Sequence, residues 1–168
     1  MANEKHGVVR TDLMSGTDVR SDLVSLKYMD GTNYADIDNG SIVEIGEFLD
    51  GERELYAAKD MTATSDIKNL VLVASPEVMY DERLDDLADF YNEAGTAARG
   101  YRLREAGNIF SVTIEALDGL STPVVGNYVD KQAGNKALVV AASGANTFGR
   151  IAHIEKVGTR TYYAIRLI

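Results

Sequence analysis

Two histidines, His6 and His153, and no cysteine stand beside the carboxylates as groups able to do acid–base, nucleophilic or metal chemistry. Without cysteine there is no disulfide framework, no thiolate zinc site and no thiol nucleophile. His6 lies in a polar N-terminal stretch where a fixed catalytic geometry would be hard to hold. His153 sits in the strand-like run RIAHIEKV, where a surface or core position outweighs a general base. The phosphate loop G-x-x-x-x-G-K-[ST], the dinucleotide G-x-G-x-x-G, the G-x-S-x-G elbow and H-E-x-x-H are all missing from the chain. Carboxylates are densest between Pro76 and Gly95, at Asp81, Glu82, Asp85, Asp86, Asp89 and Glu93. Their spacing lacks the central glycine and terminal glutamate of a calcium-binding loop, so a solvated acidic face is the plain reading. Paired carboxylates acting on a glycosidic bond keep a small hydrolase open as an alternative, because their separation is invisible in sequence. No catalytic, cofactor-binding or metal-binding residue is assigned, and no cofactor is expected.

The charge pattern narrows the partners. The 168 residues carry 26 acidic against 17 basic side chains, a formal net charge of -9. That balance argues against a nucleic-acid partner. No apolar run approaches the ~18–20 residues of a membrane span, and MANEKHGVVR has no apolar signal core, so no membrane partner is expected either. The distribution is polar. Residues 36–93 hold 16 acidic and 4 basic side chains, whereas residues 94–168 hold 5 and 9. Either the two halves fold together and partly neutralise each other, or acidic and basic faces meet between copies.

These side chains must be positioned by short elements. Residues 1–35 lack sustained periodicity, and Val9, Leu13, Val19, Leu23 and Leu26 look too sparse for a private core. The segment is expected to form an extended arm lying on a neighbouring surface, with residues 36–168 folding without it. From Asp36 onward, strand-like runs alternate with turns. Ile42, Val43 and Ile45 lie between Asp38-Asn39-Gly40 and Asp50-Gly51. Ile67–Ala74 is a continuous apolar run, and Phe110, Val112, Ile114 and Ala116 alternate with polar partners. Further runs follow at Val124–Val129, Ala137–Ala142, Arg150–Val157 and Tyr162–Ile168. Leu84, Leu87, Ala88 and Tyr91 share one helical face, which predicts a short acidic helix over about 80–94. A faint echo between residues 39–60 and 125–144 suggests two similar hairpins as the halves of one barrel. The expected fold is mainly β: a small β-barrel or β-sandwich body with one short acidic helix and an extended N-terminal arm.

Residues 89–117 (DFYNEAGTAARGYRLREAGNIFSVTIEAL) and 122–144 (TPVVGNYVDKQAGNKALVVAASG) resemble structural proteins of tailed-bacteriophage heads. More narrowly, Pro123, Val124, Gly126, Tyr128, Val129, Gly134, Leu138, Val140, Gly149 and Ile151 follow a pattern similar to small β-barrel capsid decoration, or cement, proteins. The resemblance implies a β-rich body with an arm reaching onto capsid subunits. It implies a non-enzymatic virion component, located on the capsid surface and made in the host bacterial cytoplasm. The implied partners are the major capsid protein and further copies of the chain, as a trimer or another homo-oligomer. Another virion part, such as a head-fibre base, head–tail connector or tail-tube subunit, is the nearest alternative. The interface is expected at Val9, Arg10, Leu13, Val19, Arg20 and Leu23 of the arm. On the body it is expected at Asp85 and Asp86 together with Arg99, Arg102 and Arg104.

Overall fold

The computed structural model describes residues 5–13, 22–62, 64–81, 83–84, 86–104, 106–142 and 148–168. Twelve strands among them build two sheets. The first contains β1 (Leu23–Asp30), β2 (Asn33–Tyr34), β3 (Ile42–Phe48), β4 (Leu55–Asp60), β5 (Leu70–Val73) and β6 (Ala98–Arg102). Its order is β2-β1-β4-β3-β5-β6, and β1 also pairs with β6, so five strands close into a barrel with β2 as a hairpin extension. Closure depends on β1, which runs parallel to β4 and antiparallel to β6. The second sheet is a half-barrel ordered β7-β12-β11-β9-β10-β8. Its strands are β7 (Ile109–Val112), β8 (Leu117–Gly119), β9 (Tyr128–Asp130), β10 (Leu138–Ala141), β11 (Gly149–Val157) and β12 (Arg160–Leu167).

The apolar run Leu70-Val71-Leu72-Val73 explains how the two sheets meet. Strand side chains alternate between faces, and all four of these are buried. Val71 and Val73 point into the closed barrel with Leu26, Tyr28, Val43, Ile45 and Ala98. Leu70 and Leu72 join Ile42 and Met61 in a second core, shared with Phe110, Leu138, Phe148 and Ile165 of the half-barrel. Each such buried aliphatic or aromatic side chain contributes roughly 1.5–3 kcal/mol. The turn between β9 and β10 adds polar ties: Ile42 N–H donates to Lys136 O at 2.8 Å, and Gly134 N–H donates to Met61 O at 3.1 Å. The barrel interior leaves no room at Gly100, where a Cβ would stand 2.2 Å from Val71 Cγ1 and 2.9 Å from Leu26 Cδ2.

Three expectations need correction. Residues 23–34 are not part of an arm, because β1 and β2 belong to the first sheet and Leu26 is buried inside the barrel. A strand needs apolar residues only at alternate positions, so Val24, Leu26 and Tyr28 suffice, and the core they serve is shared, not private. Residues 8–10 also dock on the body. Val9 bridges Val112, Arg10 N–H donates to Ser111 O at 3.0 Å, and Thr113 N–H donates to Val8 O at 3.1 Å. They cover the free edge of β7 as an extra strand would. A boundary at residue 35 therefore does not hold.

No α-helix forms among the described residues of 80–94; only a 3-10 turn, Leu87–Asp89, is present. Aspartates there bond their own backbone instead of solvating a helix. Asp81 Oδ1 accepts from Arg83 N–H at 3.0 Å, and Asp86 Oδ1 accepts from Ala88 N–H at 3.3 Å. The supposed apolar face buries Ala88 but leaves Leu87 exposed. The two echoing hairpins, β3–β4 and β9–β10, are both present, but they lie in different sheets and not in one barrel.

Candidate functional site

The connection over residues 74–97, between β5 and β6, exceeds the ~12–15 residues beyond which loops are usually functional or linkers. Ser75 at its start and Asn92 near its end are fastened to one buried side chain. Asn39, 1% exposed, accepts from Ser75 N–H and donates to Ser75 O, both at 2.9 Å. Asn92 pairs with Ile37 through the backbone and donates from Nδ2 to Ile37 O at 3.0 Å. The N-terminal segment holds the middle of the connection. Lys5 Nζ lies 2.8 Å from Asp89 Oδ1, and His6 N–H donates to Ala88 O at 2.8 Å. The His6 ring lies 5.2 Å from that of Tyr91, with Nδ1 2.8 Å from Asp38 Oδ1.

Between this connection and the barrel lies a groove of about 700 Å³, lined in part by Tyr80, Asp81, Asp89, Tyr91, Glu93 and Arg99. A second groove of about 690 Å³ crosses β4, β1 and β6 and is lined by Leu23, Phe48, Tyr56 and the arginines 53, 99, 102 and 104. Ser25 and Arg99 line both grooves, so the two run edge to edge as one trough. One end is acidic and rich in tyrosine; the other is basic and aromatic. In the basic half, Phe48 stacks on Tyr56 with centroids 4.3 Å apart, and the Arg102 guanidinium lies 5.3 Å from the Tyr56 ring centre. Arg102 Nε is buried there without a hydrogen-bond partner. Four apolar side chains along the trough face solvent: Tyr80 is 96% exposed, Val78 59%, Phe48 46% and Leu23 42%.

Of the residues expected at an interface, Leu23, Arg99, Arg102 and Arg104 come together in the basic groove. Arg104 also pairs with Asp22, Nε to Oδ1 at 3.5 Å. Asp86 is engaged elsewhere, with Arg160 and with Lys5 Nζ at 3.4 Å, and not with the three arginines. Val9 is buried in the shared core and offers no docking surface. Arg10 is held by Asp12, with Nη2 2.7 Å from Oδ2, and stands 5.4 Å from the Tyr162 ring centre. Hydrogen bonding within that pair raises the arginine and lowers the Asp12 carboxyl relative to their ordinary values. Leu13 closes the 3-10 turn Thr11–Leu13. Its side chain, with Val19, Arg20 and Asp85, lies outside the described residues. His153 is an exposed residue of β11, opposite Ala164.

Sequence reasoning missed Arg53, Phe48, Tyr56 and Tyr80. The first three sit on a hairpin whose strands were legible, but their convergence with β6 follows from barrel closure, which no local pattern encodes. Among the described residues, no three of His, Asp and Glu gather closely enough to hold a metal ion. No described helix is long and apolar enough to cross a membrane.

No curated protein and no solved structure matches the chain. Residues 20–149, which span β1 to the start of β11 and both halves of the trough, match the family described as YonC prophage protein. The chain therefore belongs to the YonC prophage protein family and is phage-derived.

Proposed function

We propose that the protein is a non-enzymatic virion structural component that decorates a phage capsid and stabilises it by bridging neighbouring major capsid subunits. The observation that carries this reading is the trough, where exposed Leu23, Phe48, Val78 and Tyr80 stand between opposite charges on a closed barrel. Such a surface suits an extended segment of a protein partner, with apolar anchors inside a charged rim. Membership of a prophage family and the resemblance of residues 123–151 to capsid decoration proteins support it. A ligand that binds only the assembled shell stabilises that state by mass action, and repetition over the lattice multiplies modest contacts. The partners are the major capsid protein and further copies of the chain. Its place is the capsid surface of the virion, after synthesis in the host bacterial cytoplasm. Imaging particles from an induced prophage by electron cryomicroscopy tests this. Density for the body of barrel and half-barrel repeating with the shell lattice is expected. Density at the neck or tail alone would assign it to another virion part, and absence from purified particles would overturn the reading.

A further inference from the structure

We propose that two copies of this chain pair by exchanging half-sites, the Tyr80-bearing connection of each docking in the arginine groove of the other. Self-association is one part of the reading above, but this pairing does not depend on a capsid. Three observations carry it.

The first is Tyr80, which at 96% exposure has no support from its own chain. Beside it Val78 is also exposed, and tyrosine is among the residue types that anchor protein interfaces. The second is the arginine groove. Glu54 is the one acidic residue among those lining it, against four arginines, while the neighbouring half carries Glu93 together with Asp81 and Asp89, which Arg83 and Lys5 partner within the chain. Phe48 offers an aromatic face, 46% exposed, and the Arg102 guanidinium brings a buried donor that has no acceptor. A docked tyrosine with flanking carboxylates supplies ring, acceptor and countercharge together. The third observation is adjacency. The half-sites share Ser25 and Arg99, so a two-fold operation across their common edge makes both contacts at once. A head-to-tail ring would instead need the two half-sites on separate faces.

The test uses the full chain and sedimentation analysis of three variants. Tyr80→Ser, a change at a solvent-facing side chain, is expected to weaken pairing at least tenfold, close to 1.4 kcal/mol. Reversing the basic half (R53E with R102E) and reversing the acidic half (D81K with E93K) should each abolish self-pairing. An equimolar mixture of the two reversed proteins should pair again, since the reversed positions of one then face opposite charges on the other. R53E alone, at an exposed position, replaces the double change if R102E disturbs the fold. A parent protein that stays monomeric at about 100 μM, well above the range of specific pairing, would overturn the proposal. So would a dimer indifferent to Y80S, or reversed variants that fail to rescue each other. Arginine with stacked aromatics also suits single-stranded nucleic acid, and a short oligonucleotide that competes with pairing for the groove would decide against a second copy. A dimer absent from purified particles would leave this pairing standing while removing the capsid role.

Discussion

Asn92 donates from Nδ2 to Asn39 Oδ1 at 3.2 Å, which joins the far end of the 74–97 connection to the same buried amide that holds Ser75 at its near end. Both asparagines are buried, so these bonds have no competition from bulk water. One side chain thus ties both ends of the acidic groove's wall to the barrel.

Replacing Asn39 by alanine strips the partners from Ser75 N–H and Ser75 O. At ~1–3 kcal/mol for each buried group left unpaired, partly regained by water entry, a loss of about 2–4 kcal/mol is expected. Chemical denaturation measures it. Amide exchange should accelerate at Ser75 and Asn92 while the half-barrel is unaffected. A loss below about 0.5 kcal/mol, the scale of a plain surface change, would mean the connection is held by Lys5 and His6 instead.

Gly100 tests the barrel interior. Its added methyl in Gly100→Ala would have to displace Val71 Cγ1 from 2.2 Å, and both neighbours lie on barrel strands. Overpacking of this kind costs typically ~1–3 kcal/mol. Pairing G100A with Val71→Ala should recover part of that cost, because the second change vacates the space the methyl takes. Additive losses in the double variant, read from thermal melts, would show that the strain lies elsewhere.

Much of the strand framework could be read directly. The runs around Ile42, Val140, Ile151 and Ile165 form strands, while Ile67–Ala74 and Phe110–Ala116 are strand only over Leu70–Val73 and up to Val112, with 3-10 turns at Ile67–Asn69 and Ile114–Ala116. Continuous or alternating apolar residues between glycine turns encode a local state. What failed was either non-local or a matter of competition. β1 looked like an arm because its inward residues alternate with Ser25 and Lys27, and its partners lie far along the chain at Leu55–Ala58 and Ala98–Tyr101. The acidic helix failed because periodicity ignores what aspartate does to its own backbone, as Asp81 and Asp86 do here. In the sequence the arginines stand out by their charge alone. Their aromatic companions Phe48 and Tyr56 come from another hairpin, and only barrel closure unites them.

Truncation separates the two interpretations of the N-terminus. Removing residues 1–30 deletes β1 and leaves the edges of β4 and β6 unpaired and the barrel interior open. Loss of cooperative unfolding is expected, read by near-ultraviolet circular dichroism during a melt. Removing residues 1–7 instead cuts the contacts of Lys5 and His6 but keeps Val8 and Val9 on β7. That shorter protein should still melt cooperatively. A folded, cooperative protein lacking residues 1–30 would mean that the barrel closes without β1.

Tyr28 gives the pH dependence with a definite sign. Its ring is buried in the barrel, and its hydroxyl donates to Asp60 Oδ1 at 2.6 Å. Burial first, then donation to the carboxylate and the charge of Asp60, push its ionisation well above the ordinary value of 10.0. Above about pH 10 an unfolded chain releases this proton while the folded protein keeps it. The contribution to stability is therefore complete below about pH 10 and is lost as pH climbs through the raised folded value. Near-ultraviolet absorbance should show a late tyrosine ionisation from Tyr28, together with alkaline unfolding. Tyr28→Phe should remove that late step and flatten the alkaline loss. At neutral pH it should cost about 1–2 kcal/mol, the scale of a hydrogen bond to a charged group whose acceptor is partly open to water. Lys136 Nζ, 4.3 Å from the ring centre, keeps its contact with phenylalanine, so the half-barrel should stay docked on the barrel. If Tyr28 ionises near its ordinary value, its ring is reached by solvent and the packing at that end of the barrel is looser than these distances require.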